Sequence, residues 1–171
     1  MQGEVGEAPA LPGAGALDLV YVTWGTIRWL PDLGPWAGAI ADLLRPGGRL
    51  FFRDAHPFAG QLDLVEGRLL PVYGFRTPRG APLRFAAAAS YSGDPDPLPE
   101  GEDHEWNHPV SDILGALLGA GLRIDGVEEG ETLPWDMYPG LTVEGPAGQW
   151  RLPEGQASVP LSLTVRASRP G

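Results

Sequence analysis

The sequence predicts an α/β domain built on a predominantly parallel sheet. Residues 17–55 read as strand, helix and strand with short links, residues 111–128 as helix and strand, and residues 159–167 alternate apolar and polar side chains. A strand, helix and strand joined so closely require a parallel pair with a right-handed crossover. The 171 residues, 43% apolar and 20% charged, suffice for a single domain, residues 1–171, with its own core.

Twelve basic against 22 acidic residues leave a net charge of −10, which disfavours a nonspecific grip on nucleic acid or an anionic membrane. A small molecule is the expected partner. The absence of cysteine excludes a disulfide framework, a thiolate metal site and a cysteine nucleophile. The start, "MQGEVGEAPALPGAGA", lacks the basic and apolar regions of a secretory signal, and no apolar run approaches the roughly 20 residues of a membrane span. The expected location is therefore the cytoplasm. The 25 glycines and 19 prolines punctuate apolar segments without forming a repeat, so they read as turns.

"LDLVYVT", residues 17–23, is an apolar, β-branched run expected as a strand buried on both faces. In "PDLGPWAGAIADLLRPGG", Leu33, Trp36, Ile40, Leu43 and Leu44 share one helical stripe, with Asp32 placed as the N-cap. Pro35 is tolerated in the first turn, where amides lack intrahelical partners. Arg45 suits the negative end of the helix, and Pro46, Gly47 and Gly48 stop it. "RLFFRDA", residues 49–55, is the next strand. Residues 57–109 form an insertion or substrate-cover region, in which Leu69–Phe75 and Leu83–Ala89 could pair as a hairpin. Next, Ser111 can cap a helix with a buried stripe of Ile113, Leu114, Leu117 and Leu118, and Gly121 lies just past its end. A strand over residues 122–128, interrupted by Gly126, follows. In "VPLSLTVRA" Val159, Leu161, Leu163 and Val165 face one way, and Ser162, Thr164 and Arg166 the other, as in a half-exposed strand near a sheet edge.

The stretch "HEWNH" places His104, Glu105 and His108 in the H-E-x-x-H spacing of a zinc peptidase, which needs both histidines one helical turn apart and a third ligand. The flanks oppose a helix. Pro109 disfavours the α conformation at His108, and the Pro-rich segment upstream supplies no preceding turn. The alternatives are histidines that pack and hydrogen-bond in a loop, or a pocket role as substrate orienter or general base near neutral pH.

"LDLVYVTWGTIRWLPDLGPWAGAIADLLRPGGRLFFRDAHPF", together with "HEWNHPVSDILGALLGAGLRIDGVEE", "PWDMYPGL", "WRLPEG" and "VPLSLTVRA", resembles the second half of a class I S-adenosylmethionine-dependent methyltransferase of the small-molecule kind. The resemblance covers nearly the whole chain. It implies a partial Rossmann-like sheet, mostly parallel with a late antiparallel strand, flanking helices and an inserted hairpin or loop region. In that likeness residues 17–23 are the fourth strand and residues 49–55 the fifth. The cofactor implied is S-adenosylmethionine, with Glu4 toward the adenine amine, the backbone of Val22 and Thr23 beside the methionine part, and Trp24 walling the pocket. Functional groups belong at the carboxyl ends of the strands. His56, His104 or His108 would take a proton from the acceptor, and Trp24, Asp54 and Trp106 would line the substrate pocket. No metal is implied.

The likeness lacks the Gly-rich turn after a first strand and the acidic residue closing a second, which in such folds hold the nucleoside. "PGAGA", residues 12–16, precedes a strand instead of following one. The chain reads as truncated, starting after three strands. Residues 17–23 then become an apolar edge, expected to pair with a second copy, a partner polypeptide or the folded-back N-terminal tail. Two functional classes follow: a methyltransferase, complete only with a partner, or an inactive remnant acting as a binding module. Zinc hydrolysis is the third and least favoured.

Overall fold

The computed structural model describes residues 13–86, 102–155 and 157–171. Its four-stranded sheet holds β1 (Leu17–Thr23), β2 (Leu44–Ala55), β7 (Arg123–Gly130) and β10 (Ser162–Ser168) in the order β1-β2-β10-β7. β1 and β2 are parallel, and β10 runs antiparallel to both β2 and β7. Three strands thus share one direction, with the last strand reversed between two of them. Small antiparallel pairs lie outside the sheet: β3 (Leu62–Val65) with β4 (Arg68–Pro71), β5 (Leu83–Ala86) with β6 (Glu102–Glu105), and β8 (Val143–Glu144) with β9 (Trp150–Arg151).

Helix α1 (Leu33–Leu43) starts where the sequence predicts, and Asp32 caps it by accepting from the Gly34 amide at 2.9 Å. It ends at Leu43, and β2 begins at Leu44, five residues ahead of the predicted strand. The Arg-Pro-Gly-Gly turn survives as a bulge inside β2: pairing passes from Leu17–Leu44 directly to Leu19–Arg49. Gly48 is required in that bulge, because a Cβ there would lie 2.7 Å from the Leu17 carbonyl oxygen. Arg45 accordingly leaves the helix end and binds Asp18, Nε to Oδ1 at 2.6 Å.

Helix α2 (Val110–Gly119) begins one residue before Ser111, with Pro109 as its N-cap. Extended Pro109 has no amide to leave unpaired, and its carbonyl accepts from the amides of Asp112 and Ile113. Ile113 and Leu117 are buried, whereas Leu118 is 56% exposed, so the stripe is narrower than predicted. Gly121 (φ 81°) ends the helix as expected.

Leu33, Ala37 and Ile40 of α1, with Ile113 and Leu117 of α2, pack on one face of the sheet against Leu50 and Phe52 of β2 and Leu163, Val165 and Ala167 of β10. The registers put Leu19 beside Arg49, Tyr21 beside Phe51 and Phe51 beside Arg166 on the other face. There Leu19 is 54% and Tyr21 64% exposed. This corrects the expectation of a first strand buried on both faces: α1 and α2 both cover the same side. β10 lies one strand in from the edge formed by β7, between it and β2. On its polar side only Arg166 is exposed, with Ser162 and Ser168 buried, and both of its own edges are hydrogen-bonded.

Leu69 and Leu83 do not share a hairpin. Leu69 lies in β4, which turns back on β3 through Glu66 (φ 50°) and Gly67 (φ 75°), while β5 pairs with β6. Residues 87–89 of the predicted hairpin are outside the described residues. Around Gly126, β7 carries a bulge opposite Arg166 and Ala167, matching the interrupted alternation.

Candidate functional site

A cavity of about 340 Å³ opens at the carboxyl ends of β1 and β2. That volume falls in the range of small-molecule sites, and the location is where open α/β sheets bind ligands. Gly25 enters from the turn after β1, Arg28 and Trp29 from the 3-10 turn Ile27–Trp29, and Asp54 from the end of β2. Asp63 of β3, Tyr73 beyond β4, Phe85 of β5 and Glu105 of β6 close one side; Trp135, Met137 and Tyr138 close another.

Asp54 ties the two strand ends together. Its Oδ1 accepts from the amides of Gly25 and Ala55, both at 2.7 Å. The backbone at Trp24 (φ 35°) and Gly25 (φ 77°) is left-handed, which turns the Gly25 amide onto this carboxylate. Asp54 is only 2% exposed, and its Oδ2 has no hydrogen-bond partner. Burial pushes its pKa up, against the opposing pull of the backbone amides and of Arg28. Arg28 forms an ion pair with Glu105, and its Nε is likewise buried without a partner. Tyr73 donates to Asp63 Oδ2 at 3.0 Å; burial first, then Asp63, raise its pKa. Tyr138 donates to the Ala59 carbonyl at 2.8 Å, and burial pushes its pKa to about 12. Both phenols are neutral at physiological pH.

None of the three histidines lines the cavity. His56 Nδ1 accepts from the Phe58 amide at 3.0 Å, which places the ring proton on Nε2, and Nε2 donates to Glu129 at 2.9 Å. Burial lowers its pKa more than Glu129 raises it. His108 Nε2 donates to the Leu30 carbonyl at 2.7 Å, and burial lowers its pKa as well. His104 sits on β6, its Nε2 3.7 Å from Glu102. "HEWNH" is therefore a strand end and a loop, without the helical turn that zinc peptidase geometry requires.

Of the other expected site residues, Asp54 is on the cavity wall. Trp24 stands behind it, edge-on to Trp135 at 5.3 Å, with the Arg53 guanidinium 5.2 Å from its ring. Trp106 is 9% exposed and donates its indole N–H to the Arg79 carbonyl at 3.1 Å, away from the cavity. The Val22 side chain packs on the main core, and the Thr23 carbonyl accepts from the Thr26 hydroxyl at 3.1 Å. Glu4 lies outside the described residues. Arg28, Trp29, Asp63, Tyr73, Phe85, Trp135, Met137 and Tyr138 are additions from the structure. Arg28 carried a usable signal, lying just past the carboxyl end of a parallel strand. Asp63 and Tyr73 carried none.

No family model and no curated protein matches this chain. Solved structures do. A protein of Listeria monocytogenes assigned to the S-adenosylmethionine-dependent methyltransferases superposes with a TM-score of 0.58 at 15% identity, over 96% of this chain and 66% of its own. An S-adenosylmethionine-dependent methyltransferase of Mesorhizobium loti gives 0.58 at 21% identity, over 95% of this chain and 65% of its own. The chain thus has the Rossmann-like fold of these methyltransferases. It spans just under two thirds of their length, 66% and 65% respectively.

Proposed function

We propose that this chain is a cytoplasmic S-adenosylmethionine-dependent methyltransferase domain acting on a small molecule held in the cavity. The observation that carries this reading is the position of that cavity, at the carboxyl ends of two parallel strands in a sheet of methyltransferase fold. The cofactor would supply an electrophilic methyl group there. The described residues suit the part of it that lies over the end of β1, where Gly25 of the left-handed turn after that strand lines the cavity. They offer no Gly-rich turn after a strand for the nucleoside part.

Methyl transfer depends heavily on alignment and on exclusion of water. Trp29, Phe85, Trp135 and Met137 provide apolar walls, and Asp54 is the lining carboxylate that would take a proton or a hydrogen bond from the acceptor once its buried, unpartnered Oδ2 turns to the cavity. His56, two residues beyond Asp54 and locked by Phe58 and Glu129, acts as a positioning residue for this strand end. The regions 62–85 and 102–105 serve as the cover that selects the substrate. β1, terminal in the sheet among the described residues, pairs with a second copy or a partner that completes the nucleoside site.

Calorimetric titration with S-adenosylhomocysteine tests this. Micromolar binding, together with methyl incorporation into a small-molecule panel, is the expected result. A second reading, a binding module without methyl transfer, predicts no nucleoside binding at any protein concentration.

A further inference from the structure

We infer that the cavity at the ends of β1 and β2 selects a cationic amine, an ammonium group carried on an aromatic or apolar body. This deepens the proposed acceptor site and rests on that reading for its place in methyl transfer, although the recognition itself needs no cofactor. Among the described residues, three carboxylates, Asp54, Asp63 and Glu105, line the cavity against a single guanidinium. Arg28 is already paired with Glu105, so two carboxylates remain without a cationic partner. Asp63 spends its oxygens on the Leu64 amide and the Tyr73 hydroxyl, both neutral donors that leave its charge uncompensated. Asp54 lines the cavity and is 2% exposed, and its Oδ2 is buried without a hydrogen-bond partner.

A buried carboxylate oxygen without a donor is costly, and an ammonium N–H satisfies it with a charge-assisted hydrogen bond. The aromatic walls add a second attraction, since cations are drawn to ring faces. Tyr73 and Phe85 stand edge to face at 5.6 Å, with Trp29 and Trp135 on the same cavity. A carboxylate ligand would meet this negative field with Arg28, already paired with Glu105, as the one cation among the described lining residues. A neutral ligand would leave the Asp63 charge, held only by neutral donors, uncompensated.

Three probes of matched size separate these cases: phenethylamine, phenethyl alcohol and hydrocinnamate, titrated calorimetrically into the full chain at neutral pH. Phenethylamine is expected to bind about tenfold or more tighter than the alcohol, with no binding of hydrocinnamate. Asp54→Asn keeps the acceptor for Gly25 and Ala55 but removes the charge, and should weaken the amine about tenfold more than it weakens the alcohol. Asp63→Asn, expected to weaken the amine in the same sense, serves if Asp54→Asn fails to fold. Equal binding of amine and alcohol, binding of hydrocinnamate, or no probe binding overturns the inference. A parallel S-adenosylhomocysteine titration keeps the readings apart. Loss of nucleoside binding with amine selectivity intact sinks methyl transfer alone; nucleoside binding without amine selectivity sinks only the inference.

Discussion

His56 and His108 are buried by contacts that use them as neutral rings. Each has its pKa pushed below 6.5 by burial, so the folded state resists a proton that the unfolded chain accepts. The stabilising contribution is full above that unfolded value and is lost as pH falls toward the lower folded value. Asp54 has the opposite sign: its raised pKa contributes stability below 3.8 that is lost as pH rises through the folded value. Between about pH 7.5 and about pH 5.5 the two histidines give the falling trend. The melting temperature should therefore drop across that interval, and drop less in His56→Gln; a flat profile would mean the rings are not held neutral. At this scale the sequence named two side chains at this strand end, Asp54 for the pocket and His56 for its chemistry; Asp54 lines the cavity, while His56, two residues on, is held by Phe58 and Glu129.

Elements were legible where hydrogen bonding is local. The Asp32 cap, the Gly121 stop and the apolar periodicities of α1 and α2 act within a few residues, so they can be read without knowing the fold. The misses came where a distant partner decides. The Arg-Pro-Gly-Gly segment became a bulge in β2 because Leu17 pairs with Leu44, and Pro109 displaced Ser111 as the cap of α2. The narrowed stripe of α2 is directly testable. Leu117→Ala, fully buried in the core, should cost about 2–5 kcal/mol, whereas Leu118→Ala on the exposed face should stay within about 0.5 kcal/mol. Urea denaturation of the two variants decides it; equal costs would mean that Leu118 is covered, most simply by association.

For the whole molecule the governing feature is a sheet surface left uncovered among the described residues. β1 offers one unpaired edge among the described residues, and beside it Leu19 and the stacked Tyr21–Phe51 rings, 5.1 Å apart, stand exposed. Apolar edges of this kind recruit another strand. Sedimentation velocity should show reversible self-association that weakens when Leu19→Lys and Tyr21→Lys are combined. A chain that stays monomeric at every concentration, with and without these changes, would remove the proposal that β1 is completed by a second copy.

The sequence by itself determined that residues 17–55 would make strand, helix and strand, that a second helix would end at Gly121, and that the late strand would hide one face. These follow from periodicity and capping, which are properties of neighbouring residues. Only the tertiary structure decided that β10 lies between β2 and β7, and that Arg28, Asp54, Asp63, Glu105 and Trp135 meet at one cavity. Those residues come from separate segments, brought together by long-range strand pairing and by the turn at Trp24 and Gly25. No local pattern records that convergence, because it arises from the closing of the whole chain around one core.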